Sequence, residues 1–199
     1  MSADSDTIAV YDARVKDYAM MTADLTEAPE LEAFAKALPR GARVLDLGCG
    51  PGRHAGWLAA RGFKVEAVDA SSEMVALAAN QAGVTARQAA FSDIGPPARF
   101  HGIWANFSLL HMPRAALPEQ LSRLRAAGLD GHLLHLGMKC GTGEGPDRLG
   151  RFYAYWQPGE LVALLEAAGY RTLWQREGVA KGLAGGTDPY VLIRARADG

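Results

Sequence analysis

The chain has 199 residues, with 21 Lys and Arg against 22 Asp and Glu, a net charge of −1 and a pI near 6.5. That length suffices for one α/β domain with a full core, and the even charge, without a basic block or basic helical stripe, gives no electrostatic reason to expect a nucleic-acid partner. No apolar run reaches the length of a bilayer span, Met1 to Thr7 is acidic and polar rather than signal-like, and the two cysteines, Cys49 and Cys140, make no disulfide framework, so the expectation is a cytoplasmic protein without a membrane partner.

In chain order, Tyr11 to Met20 and Glu27 to Leu38 read as helices. In the second, Leu31, Phe34, Ala35 and Leu38 share one face, and Pro39-Arg40-Gly41 stops it. A first strand is predicted from Ala42 to Asp46, a helix from Arg53 to Arg61, and a second strand from Lys64 to Val68. Ser71 or Ser72 caps the next helix, which carries Met74, Val75 and Leu77. Val84 to Ala89 and Phe100 to Asn106 are predicted strands; a helix from Arg114 to Ala127 and a strand from Gly131 to Leu136 follow. Pro158-Gly159-Glu160 opens a helix through Ala168, and Tyr170–Glu177 and Tyr190–Arg196 close the chain as two strands. Alternating strands and helices predict a parallel sheet covered on both faces, and the late strand pair predicts one antiparallel strand. Gly141 to Asp147, rich in glycine, reads as a mobile loop.

The most informative stretch is Val44-Leu45-Asp46-Leu47-Gly48-Cys49-Gly50-Pro51-Gly52, an apolar strand ending in an acid and running into a Gly-x-Gly-x-Gly loop. A second strand ends in Asp69. A glycine turn with one carboxylate at each strand end suits a nucleoside-containing ligand at the edge of a parallel sheet. Gly48 turns the chain off the strand, Gly50 lets a ligand lie against the backbone, and Gly52 is expected to bring the next helix close to the sheet. Asp69 is placed to accept hydrogen bonds from both hydroxyls of a ribose. A nicotinamide dinucleotide is the rival ligand, but it favours Gly-x-Gly-x-x-Gly, with a helix N-terminus receiving the pyrophosphate.

On these residues the chain resembles the class I S-adenosylmethionine-dependent methyltransferases, in particular the small bacterial ones similar to tellurite-resistance enzymes. Val44–Gly52 matches the first motif, Asp69 the ribose acid, and Ala70-Ser71-Ser72-Glu73-Met74 the segment after it. Gly150-Arg151-Phe152-Tyr153-Ala154-Tyr155-Trp156 is similar to the group's late loop. The resemblance implies a Rossmann-like, seven-stranded, mostly parallel sheet with the last strand antiparallel and helices on both faces. It implies one methyltransferase domain over 1–199, with residues 1–38 as helices near the cofactor cleft and 40–197 as the α/β core.

It also implies S-adenosylmethionine as cofactor and a small-molecule acceptor, methylated by direct in-line transfer. The cofactor set would be Asp46, Gly48, Cys49, Gly50, Gly52, Asp69, Ala70, Met74, Phe91, Ser92, Asn106 and Phe107, with Asp93 a further candidate for the adenine amino group. In-line transfer needs positioning more than acid–base groups, and His111 is the candidate for deprotonating or orienting the acceptor. Tyr11 and Tyr18, as a lid, and Tyr153 and Tyr155, in the late loop, are candidate acceptor contacts; hydrophobic packing explains them equally well. Arg151 and Lys139 are alternatives for an anionic acceptor or plain solvated side chains. His135 reads as structural, His54 as a solvated or hydrogen-bonded helix residue with the cofactor's carboxylate end as the alternative, and His101 and His132 as strand-edge residues. No histidine pair has helical metal-ligand spacing, so no metal is expected. An NAD-dependent oxidoreductase and a non-enzymatic sensor of the methyl donor remain alternatives, and oligomeric state is not legible.

Overall fold

The computed structural model describes residues 5–15, 29–181 and 185–198. Helix α1 (Ser5–Ala13) starts earlier than predicted, and the end of that predicted helix, with Tyr18, lies outside the described residues. Helix α2 (Pro29–Lys36) follows, then β1 (Arg43–Leu47), α3 (Arg53–Ala59), β2 (Lys64–Asp69), α4 (Ser72–Ala78), β3 (Val84–Gln88) and β4 (Phe100–Asn106). Next come α5 (Leu117–Ala127), β5 (Gly128–Lys139), a short pair β6 (Glu144–Pro146) and β7 (Phe152–Ala154), α6 (Pro158–Ala167), β8 (Tyr170–Lys181) and β9 (Thr187–Ala197).

The main sheet has seven strands in the order β3-β2-β1-β4-β5-β9-β8. Strands β1 to β5 pair in parallel, and β9 runs antiparallel to both β5 and β8. Central strands covered on both faces read as continuous apolar runs. Val44, Leu45, Asp46 and Leu47 of β1 are accordingly all buried, which makes the one charged residue among them conspicuous. Leu121, Leu124, Leu161 and Leu165 of α5 and α6 pack one face. Leu31, Phe34, Ala55 and Leu58 of α2 and α3 pack the other. Strand order reverses between β1 and β4, and the crevice at such a reversal is where open α/β sheets bind ligands.

Three expectations are corrected. Gly141 to Asp147 is not a loose loop: β6 pairs antiparallel with β7, and Asp147 Oδ1 accepts the N–H groups of Leu149 and Arg151 to close the turn. Gly52 serves helix–helix contact rather than helix–sheet contact, since a Cβ there would lie 2.7 Å from Ala78 Cα of α4. His132 is not at an edge. It is buried, with Nδ1 2.8 Å from Leu129 O and Nε2 2.9 Å from the Tyr170 hydroxyl.

Gly48 has φ 69°, and a Cβ there would fall 2.3 Å from Ser108 Cβ. The loops after β1 and β4 touch at this point and neither can give way without moving a strand end. Gly48→Ala is expected to destabilise the fold by about 2 kcal/mol or more, from strain plus overlap, measurable as a lowered urea midpoint.

Candidate functional site

The site is assembled by backbone hydrogen bonds before any side chain enters it. The N–H groups of Gly48 and Cys49 both donate to Val68 O, at 2.7 and 3.0 Å, tying the glycine loop to the end of β2. Asp69 then grips both sides of the crevice: Oδ2 accepts the Gly50 N–H at 2.8 Å and Oδ1 the Ser71 N–H at 2.9 Å. Ser71 Oγ caps α4 by accepting the Met74 N–H and also bonds the Asp12 carboxylate on α1. The result is a cleft with about 550 Å³ of empty space, partly open to solvent. Gly48, Gly50, Asp69, Ala70, Met74 and Phe91 line it from the core, Thr7, Ile8 and Tyr11 from α1, and Phe107, Ser108 and His111 from the segment after β4.

Most of the residues singled out in the sequence therefore meet in one place, and the remainder sit around it. Asp46 and Cys49 are buried beneath the loop. Ser92 O is turned to the Arg123 guanidinium. Asp93 is exposed and folds back so that Oδ2 accepts the Ala90 N–H at 2.9 Å, which leaves the adenine contact expected of it without support. Asn106 belongs to a different hollow, its Oδ1 3.0 Å from His135 Nε2.

Burial pushes the Asp46 carboxyl up to about 7, helped by the neighbouring Asp69 charge and opposed by the Ala55 N–H. Its Oδ2 is buried without a hydrogen-bond partner, and so are Arg53 Nε and Ser108 Oγ. Buried polar atoms are normally paired; an acid oxygen at the end of β1 and a guanidinium nitrogen at the start of α3 are the charged groups here that are not.

A second feature was not visible in the sequence. Arg151, read as solvated or anion-binding, is 2% exposed. Its guanidinium is held by Asp147 Oδ2, at 2.6 Å from Nη2 and 3.1 Å from Nε, and its Nη1 donates to the Tyr11 hydroxyl at 3.2 Å. Tyr11 lies 2.9 Å from His111 Nε2, and His111 Nδ1 lies 2.7 Å from Phe152 O. A carbonyl only accepts, so Nδ1 carries the proton and Nε2 accepts from Tyr11. Tyr153, 3% exposed, packs on the His111 ring and hydrogen-bonds Tyr11. Burial holds His111 down at about 4, so the ring is neutral at pH 7. Together with the Thr7 Oγ1 bond from Phe152 N–H at 2.8 Å, these contacts fasten α1 over the cleft. Both His111 nitrogens are engaged in that fastening. Tyr155 sits farther out and is half-buried, and Lys139 is paired with Asp188 at 2.6 Å.

On the other side of Phe107 lies a second, more open hollow of about 640 Å³, lined by α2, α3, β4, β8 and β9. Trp104, 2% exposed, stacks on His135 with ring centres 3.7 Å apart, in keeping with a structural His135, whereas His54, half-buried, tilts against Trp104 and is packed where a solvated or hydrogen-bonded side chain was expected.

Residues 44–128 match a family model described as a methyltransferase domain. The match takes in the glycine loop and the strands up to the start of β5, and the strand order above is the Rossmann-like arrangement of the solved methyltransferase structures that the chain resembles. The chain is 41% identical over 78 residues to a trans-aconitate 2-methyltransferase of Mycobacterium tuberculosis, a match covering 38% of this chain and 30% of that one. Among solved structures it resembles the Burkholderia thailandensis 1,6-didemethyltoxoflavin-N1-methyltransferase with bound 1,6-didemethyltoxoflavin and S-adenosylhomocysteine, with TM-score 0.76 and 24% identity over 98% of this chain and 88% of that one. It also resembles a TehB-like methyltransferase from Corynebacterium glutamicum, with TM-score 0.70 and 18% identity over 98% and 100% of the two chains. The first bears out the expected fold, the second the expected likeness to tellurite-resistance enzymes.

Arg151→Ala removes the cation from Asp147 and one of the bonds to the Tyr11 hydroxyl, and leaves a hole where the guanidinium was buried. The expected loss is about 3 kcal/mol, read by chemical denaturation, with protease sensitivity of α1 rising more than that of the sheet.

Proposed function

We propose that the chain is an S-adenosylmethionine-dependent methyltransferase acting on a small-molecule acceptor. The observation that carries the reading is Asp69. A carboxylate has about four lone-pair positions; the Gly50 and Ser71 N–H groups take two of Asp69's, the Ala70 N–H also acts on it, and the side chain still faces the cleft, where a ribose hydroxyl would reach it. Met74 and Phe91 give an adenine ring apolar faces, and Gly48 and Gly50 leave the backbone bare beside it. Asp46 and Arg53 complement the ammonium and carboxylate of an amino-acid tail. A dinucleotide fits less well, because a buried carboxyl under the glycine loop disfavours a diphosphate above it.

When bound, S-adenosylmethionine supplies an electrophilic methyl group and its own leaving group. The chain's task is then to orient, to hold two reactants in line and to exclude water. Asp69 fixes the ribose, Phe107 and Ser108 border the reacting end, and α1 covers it. His111 acts as a pin for α1, since neither nitrogen is open to an acceptor proton while Tyr11 and Phe152 hold them.

Two outcomes test this reading. Asp69→Ala is expected to weaken S-adenosylhomocysteine binding by at least tenfold in calorimetry, roughly the value of a charge-assisted hydrogen bond; unchanged affinity in a folded variant excludes the assignment. The second concerns protons. Because the free carboxyl of Asp46 is raised to about 7, it is largely protonated near pH 6, and an ammonium beside it lowers that value. Ligand binding near pH 6 should therefore release close to one proton, seen as a dependence of binding enthalpy on buffer ionisation enthalpy, and Asp46→Asn should abolish the release.

A further inference from the structure

We infer that the hollow beyond Phe107 is the acceptor site and that it takes a flat, uncharged aromatic or heteroaromatic molecule; this rests on the donor occupying the neighbouring cleft. Phe107 lines both spaces, so the two adjoin at this residue, and the reactants would meet past the edge of its ring. It is also the one non-glycine among the described residues with positive φ, at 56°. A bulky side chain in that conformation is strained, and such strain persists where surrounding contacts enforce it, often at functional sites.

The enforcement is visible. Phe107 N–H donates to Gly137 O at 3.0 Å, and the ring meets Tyr190 edge-on with centroids 5.6 Å apart. A Cβ on Gly137 would fall 2.6 Å from Asn106 Oδ1 and 3.2 Å from Phe107 N, so β5 is bare where Phe107 stands.

The chemistry of the hollow sets the class of occupant. Its walls are Trp104, Phe107, Tyr190, Leu31 and Leu192, surfaces suited to a planar ring. Trp104, which also borders the hollow, carries a buried indole Nε1–H without a hydrogen-bond partner. Its two described charges, Arg176 and Glu30, neutralise each other at 2.6 Å. A polycarboxylate would find no unpaired cation among the described lining residues and would have to break that pair, whereas an uncharged ring leaves it intact. A trans-aconitate acceptor, as in the curated relatives' name, is therefore disfavoured here.

The test is calorimetric titration of the S-adenosylhomocysteine-saturated full chain with quinoline, coumarin, lumazine and trans-aconitate. At least one flat probe should bind and trans-aconitate should not. Tyr190→Leu should weaken that probe about tenfold, the scale of a lost aromatic contact with its buried area. Ala180→Trp, placed on the exposed rim of the same hollow, should block the probe while S-adenosylhomocysteine affinity stays within about twofold. Binding of trans-aconitate that Arg176→Gln removes would overturn the inference, as would binding of none of the four, or a probe indifferent to both Tyr190→Leu and Ala180→Trp. If the parent chain fails to bind S-adenosylhomocysteine at all, the donor reading falls, and the acceptor site with it.

Discussion

The site depends on one carboxylate doing two jobs in one plane. Asp69 accepts the Gly50 N–H from the loop after β1 and the Ser71 N–H from the start of α4, so it sets the width of the crevice between two parallel strands. Its position follows from register: β1 and β2 pair from Arg43 with Lys64 to Leu47 with Val68, which leaves Asp69 one step beyond the paired run. The glycines supply the backbone geometry that lets those N–H groups turn toward it. Burial raises the Asp69 carboxyl above its usual range, and the hydrogen bonds from Ser71 and Gly50 act in the opposite direction, favouring the charged form. The crevice is thus held by a group that a bound diol would also stabilise.

Around that centre the molecule keeps its charges in pairs. Arg151 with Asp147, Lys139 with Asp188, Arg114 with Glu160 and Arg176 with Glu30 each bind a cation to an acid. The buried atoms that break this habit, Asp46 Oδ2 and Arg53 Nε, lie at the cofactor end. On the proposed reading, recognition of a zwitterion would reside beside the glycine loop, and the space beyond Phe107 would recognise shape and aromatic surface. The short β6–β7 pair contributes by seating Arg151 and Phe152, which in turn seat Tyr11 and His111 of two distant segments.

What was legible in the sequence was whatever is decided locally. The apolar runs of β1, β2 and β4, the glycine loop, Asp69 and the Ser71 cap are set within a few residues of each other, and all appear where expected. Three misreadings share a cause: long-range partners. Arg151 is buried because Asp147 and Tyr11 meet it, and a contact spanning most of the chain leaves no periodic trace. His132 is buried because Tyr170 arrives from β8. The Gly141–Asp147 stretch looked loose by composition, yet Asp147 and β7 give its backbone partners. Asn106 illustrates a finer point: being at the end of the right strand does not say which side of Phe107 a side chain serves.

The placement of β9 has a consequence for how the molecule is made. It follows β8 in sequence, yet it lies between β5 and β8, bonded to β8 along nearly its whole length and to β5 from Leu133 to Lys139. During synthesis, β8 emerges with no neighbour to join, and β5 waits with one edge bare. Only when the residues up to Ala197 have left the ribosome can the two halves of the sheet be stitched together. Until then the nascent chain exposes two open edges, the leucine-rich β5 and β8 with its Tyr170, Thr172, Trp174 and Val179, the kind of surface that recruits a neighbour's strand. Loss of β9 should accordingly be punished by aggregation rather than by mild loss of stability.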